Sequence, residues 1–141
     1  MADVLTRRRI FTAMEEARNP DGFVEFHADE FPGYFVKMLA TGGPDDADRK
    51  LWKHMVNIAY LEPGAKKVHT HEAENVLFIL EGEGVYHSDF DKTSPVKAGD
   101  LCLALGGEPH GFLNTGSKRM IYLAVEGPWN FEGMGAGPPG R

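Results

Sequence analysis

His69-Thr70-His71 places two imidazoles two residues apart. On an extended strand, side chains at i and i+2 share a face, so both rings point the same way. Neutral imidazole is the commonest protein ligand for a divalent transition metal, and two side by side are the start of such a site. A third imidazole, His110, follows the tight loop Gly106-Gly107-Glu108-Pro109 and precedes an apolar segment. His54, His87 and Tyr60 fall on expected strands. If they point inward, they are candidates to transfer protons as acid or base.

The flanks of the histidine pair read as strand and turn. Pro63-Gly64 is a turn signal ahead of it. Val76 to Leu80 is a short apolar run rich in β-formers, broken by Gly82 and Gly84, and Val85-Tyr86-His87 reads as the return strand of a hairpin. Upstream, residues 4–18 carry a rough apolar stripe (Val4, Leu5, Ile10, Phe11, Met14, Ala17) that predicts a helix ending at Asn19-Pro20. Strands are predicted over 23–27, 34–39 and 51–61, with a polar loop over 41–48. The 51–61 strand is apolar on both faces at one end, so its inward face is not set by pattern. Downstream, 88–95 reads as polar and turn-like, 101–105 as a buried strand, and 110–113 and 120–125 as the last strands. Gly and Pro dominate from residue 127 on. One helix followed by short strands, with turns roughly every 8–12 residues, predicts an all-β sandwich or barrel. The lack of a helix-length segment after residue 20 removes βαβ folds.

The 141 residues suit one domain with one core. A net charge of −6 argues against binding to nucleic acid or to an anionic membrane surface. No apolar stretch approaches the roughly 20 residues of a membrane span. A single cysteine excludes an intrachain disulfide and fits a reducing compartment, and the N-terminal arginines lack a following apolar run, so a cytoplasmic location is expected. Cys102 lies in an apolar run and is expected to be buried and inert.

The chain resembles the cupin superfamily, small double-stranded β-helix barrels. That family's first motif runs Gly, five residues, His-x-His, three or four residues, Glu, six residues, Gly. Here Gly64 is followed by four residues, then His69 and His71, with Asn75 at the glutamate position and Gly82 closing the motif. The second motif runs Gly, five residues, Pro-x-Gly, two residues, His, three residues, Asn. Gly99 opens it here, Leu105 stands at the proline position, and Gly107, His110 and Asn114 fall at the expected spacing. The resemblance implies a jelly-roll barrel with a short N-terminal helix, as a single cupin domain over 1–141. Its parts would be a barrel core about 34–127, an N-terminal helix and strand in 1–33, and a Gly/Pro-rich tail over 128–141.

The resemblance also implies that His69, His71 and His110 bind one divalent metal (iron, zinc, nickel or manganese). Asn75 in place of the glutamate is a weaker, neutral ligand, which leaves the metal's dipositive charge uncompensated and favours an anionic substrate. Glu74 would face away from Asn75 on a regular strand. The expected function is a cupin enzyme acting on a small organic molecule, with dioxygenase-type chemistry favoured because three-His iron sites occur among similar proteins. The alternatives are a metal-dependent isomerase or lyase, or a cupin that binds a small ligand without turnover. A sugar-nucleotide epimerase is disfavoured, because Arg119 is the only arginine between 51 and 127. Small cupins pair through sheet edges, so a homodimer is expected, with no nucleic acid or membrane partner.

Overall fold

The computed structural model describes residues 10–18, 22–40, 53–88 and 92–129. Chain order gives α1 (Ile10–Arg18), β1 (Val24–Glu25), β2 (Tyr34–Ala40), β3 (Met55–Leu61), β4 (Lys66–His69) and β5 (Glu74–Glu81). It continues with β6 (Glu83–Ser88), β7 (Lys92–Lys97), β8 (Leu101–Ala104), β9 (His110–Leu113) and β10 (Met120–Gly127). A six-stranded sheet in the order β1-β2-β3-β10-β5-β8 faces a four-stranded sheet in the order β4-β9-β6-β7. The strand pairs are antiparallel. This is the jelly-roll double-stranded β-helix that the sequence predicts.

Alternation along each strand decides what enters the barrel. β5 buries Asn75, Leu77 and Ile79 and exposes Glu74, Val76 and Phe78. Between the sheets these side chains meet Tyr34, Leu61, Phe112 and Met120. Each fully buried large side chain contributes about 1.5–3 kcal/mol. A second apolar layer lies outside the six-stranded sheet, where Ala17 of α1 packs on Ile58, Tyr60 and Ile121. Arg119 holds that helix in place. Its Nη1 donates to the Arg18 carbonyl at 2.9 Å, its Nε donates to Glu62 at 2.6 Å, and its guanidinium lies 4.7 Å from the centre of the Tyr60 ring. A cation on the last carbonyls of a helix satisfies acceptors that have no intrahelical donor. Among the described residues no helix is long and apolar enough to cross a membrane.

The structure departs from the sequence reading in several elements. The helix is seen from Ile10, residues 1–9 lying outside the described residues. The strand predicted over 51–61 starts at Met55, and that predicted over 23–27 shortens to two residues because His27 takes a positive φ of 52°. The stretch 88–95 is not all turn. Lys92–Pro95 belongs to β7, an edge strand that buries only Val96 and so has no apolar periodicity, and an edge tolerates Pro95. The run 101–105 is only half buried: Cys102 and Ala104 face in, while Leu101, Leu103 and Leu105 are exposed. The 41–48 loop and residues 130–141 lie outside the described residues.

Candidate metal centre

The histidines converge because two strands and one loop are locked together. His69 ends β4 and stands opposite His110, which opens β9. The two strands approach so closely that a Cβ on Gly111, whose φ is 150°, would collide with the Lys67 carbonyl. His71 lies just beyond β4, where the Gly107 N–H donates to its carbonyl at 2.8 Å. Gly106 packs against the Glu72 carbonyl with no room for a side chain. The three imidazole rings form a near-equilateral triangle with centroids 4.6–4.8 Å apart. One ligand nitrogen from each lies within 4.8 Å of the others.

The hydrogen bonds fix which nitrogen each ring presents. His110 Nδ1–H donates to the Glu108 carbonyl at 2.9 Å, which leaves the lone pair on Nε2. The Asn75 amide nitrogen donates to that Nε2 at 2.8 Å and to His71 Nε2 at 3.0 Å. Lys67 Nζ donates to His69 Nε2 at 2.6 Å. All three Nε2 atoms are therefore acceptors turned toward one centre. Burial, with the neighbouring His71 and Lys67 charges, pushes His110 down to about 4, so its imidazole is neutral at pH 7.

This donor set fits a divalent metal. Neutral imidazoles with inward lone pairs are what such an ion requires. Asn75 Oδ1 is buried with no hydrogen-bond partner, and a half-turn of the amide would bring that oxygen to the centre in place of the nitrogen.

Two neighbours of the centre were not anticipated from the sequence. Lys67, buried, lies two residues before His69 on the same face of β4. Glu126, buried, ends the inward row Met120, Tyr122, Ala124 on β10, in register with Asn75. Both line the pocket at the centre, which has about 10 Å³ of free space, room for roughly one water. A second cleft of about 140 Å³ opens beside it, between Phe26, His27, Glu30 and Phe31 on one side and Lys67, His69 and Thr70 on the other. Trp129 packs its ring 5.1 Å from that of His71.

Residues 57–126 match the family model for the cupin domain. The chain belongs to the cupin superfamily. An oxalate-binding protein of Thermotoga maritima is 46% identical over 67 residues, which make up 46% of this cupin and 54% of that protein. The chain thus spans about half the length of the curated relative it matches. Among solved structures, the polyketide cyclase RemF from Streptomyces resistomycificus is similar with a TM-score of 0.63 and 23% identity, over 78% of this chain and 75% of that one. A predicted oxalate decarboxylase from Thermotoga maritima is similar with a TM-score of 0.58 and 27% identity, over 79% of this chain and 96% of that one.

Within the cupin barrel, the residues singled out in the sequence fall into two groups. His69, His71, His110 and Asn75 come together. The three proton-transfer candidates are not among the side chains that line the pocket at the centre. Tyr60 lies on the outer face of the six-stranded sheet, stacked on Phe35 at 4.8 Å beneath α1. His87 alternates with the inward Tyr86 and so faces out from the four-stranded sheet. His54 is exposed, its ring against Gly127. Glu74 is exposed, as strand alternation predicts. Asn114 of the second motif serves structure: its amide donates to the Leu61 and Lys118 carbonyls, both at 2.8 Å.

Proposed function

We propose that this cupin holds one divalent metal on His69, His71 and His110, with Asn75 as a neutral fourth ligand, and acts there on a small organic molecule, dioxygenase-type chemistry being the favoured class. The observation that carries this reading is the convergence of three inward-turned Nε2 acceptors. Iron(II), when bound, supplies the redox chemistry that lets dioxygen react with an organic substrate. The protein's part is to orient and to exclude. Glu108 fixes the His110 tautomer through its carbonyl. Trp129 covers the His71 side of the centre. Lys67 and Glu126 place one positive and one negative side chain in the pocket, so the metal's own charge sets the field that a substrate meets.

The test is to load the protein with iron(II) without oxygen, then follow oxygen uptake with a panel of small carboxylic acids and enols. Uptake coupled to a product supports the dioxygenase. Turnover without oxygen on the zinc, nickel or manganese form gives the isomerase or lyase instead. A second reading, ligand binding without turnover, draws support from the oxalate-binding relative and from the narrow pocket. Saturable oxalate binding with no product would favour it.

The homodimer belongs to the same proposal. β8 is an outer strand of the six-stranded sheet and carries exposed Leu101 and Leu103, with exposed Leu105 just beyond its end, beside Val76 and Phe78 of β5. A bare edge with no charged residue invites pairing with another strand. One edge strand of the other sheet, β7, is guarded by Lys92, Pro95 and Lys97.

A further inference from the structure

We propose that Glu126 is the counter-charge of the metal centre: from β10, outside the ligand shell, its carboxylate balances the ion that His69, His71, His110 and Asn75 would hold. The inference rests on the three-histidine metal reading above.

The groups that would ligate the ion bring no negative charge. An imidazole binds a metal in its neutral form, and the Asn75 amide is uncharged. A cation already stands among them, because Lys67 Nζ lies 2.6 Å from His69 Nε2. Sinking that much positive charge into a barrel interior is costly unless an anion stands close by. Among the described residues that line the pocket at the centre, Glu126 is the one acid.

Its placement follows from the sheet. β10 runs antiparallel to β5, with Glu126 directly opposite Asn75. Side chains opposite each other on neighbouring strands leave from the same face, with Cβ atoms about 4.5–5.5 Å apart. Asn75 reaches His71 and His110, so Glu126 borders the imidazoles from one strand further away. It is only 3% exposed. Such burial is rare for a carboxylate, and it spares the charge from screening by solvent. The field at the centre has the required sign. Of the side-chain charges that bear on His110, those of His71 and Lys67 oppose a positive charge there, whereas that of Glu126 favours one. A metal ion beside the ring meets the same field.

Glu126 does not belong to the group whose ligand atoms lie within 4.8 Å of one another, which is His69, His71 and His110. It therefore acts through space, or through the single water for which the pocket has room. A carboxylate in that position adds charge without taking up a ligand position, so it does not close the site to a small molecule.

Lys67 lines the same pocket, which gives any loss of metal on removing Glu126 a second route: a lysine no longer restrained would hold His69 more firmly. A double-mutant cycle separates the two routes. Cobalt(II), followed by its visible absorption, is titrated into the metal-free forms of wild type, Glu126→Gln, Lys67→Met and the double variant. Gln keeps the size of the side chain and removes its charge. The expected result is that Glu126→Gln binds cobalt about tenfold to a hundredfold more weakly than wild type, and that the same change in the Lys67→Met background again costs about tenfold or more. A loss confined to the proteins that keep Lys67 would overturn the proposal, because Glu126 would then act only on the lysine. Equal cobalt affinity in wild type and Glu126→Gln would also overturn it, while leaving the three-histidine centre standing. Glu126→Asp, which keeps the charge, should retain most of the affinity. A loss in Glu126→Asp as large as that in Glu126→Gln, with circular dichroism unchanged in both, would overturn the role of charge. Failure of cobalt to bind folded wild type would overturn the metal reading itself, and this inference with it.

Discussion

The side-chain amide of Asn75 bridges two of the three imidazoles, lying 2.8 Å from His110 Nε2 and 3.0 Å from His71 Nε2. One residue on β5 thus ties the loop after β4 to β9. A carboxylate there would add a negative charge to the ligand set without a change of size. Asn75→Asp is expected to raise manganese affinity about tenfold or more, since hard ions favour anionic oxygen. Isothermal titration with manganese(II) checks this. An unchanged or weaker affinity would show that position 75 does not reach the metal.

The pairing of chains turns on Leu103. Its side chain is exposed at the centre of the β8 row. Leu103→Lys puts a charge on that edge, which opposes strand pairing. Wild type should sediment as a dimer at micromolar concentration and the variant as a monomer, with the same thermal stability when corrected for concentration. A wild type that sediments as a monomer would refute the homodimer.

His87 links stability to pH. Its Nε2 is buried without a hydrogen-bond partner, and burial, followed by the Lys66 charge, lowers its pKa below 6.5. The unfolded chain then binds the proton more readily than the folded one. The penalty is absent above the unfolded value and grows as pH falls below it, so stability drops on acidification through that range. His87→Gln should flatten the fall in melting temperature as pH drops below about 6.5. An identical slope in both proteins would remove His87 as a source.

Much of the centre was legible because its logic is local. His69 and His71 keep the i, i+2 spacing although only His69 lies on β4, and His110 carries the spacing of a second motif. Lys67 keeps the same spacing one step earlier, but a lysine beside a turn reads as a solvated flank until its strand is seen to be covered. Glu126 becomes visible only through the β10–β5 register that sets it beside Asn75. Tyr60 could not be assigned from pattern, because both faces of its strand are apolar. The reason is that α1 covers the outer face and makes a second core there. β7 left no signal because one of its six residues is buried.

Cys102 is a buried thiol that burial, and then the Asp100 charge, push up to about 11. At pH 8 its thiolate fraction is about two orders of magnitude below that of an ordinary free cysteine. Alkylation by iodoacetamide should be slower by at least that factor in the folded protein and normal after denaturation. Rapid labelling of the native chain would contradict the packing of β8 against the barrel interior.

Elemental analysis tests the central claim most directly, on protein purified with neither added metal nor chelator, beside His110→Ala. The account predicts about one divalent metal ion per chain in the wild type and loss of most of it in the variant, with the circular dichroism of the two alike. A wild type that carries no metal, and takes up none from iron(II), zinc, nickel or manganese in turn while it remains folded, would contradict it.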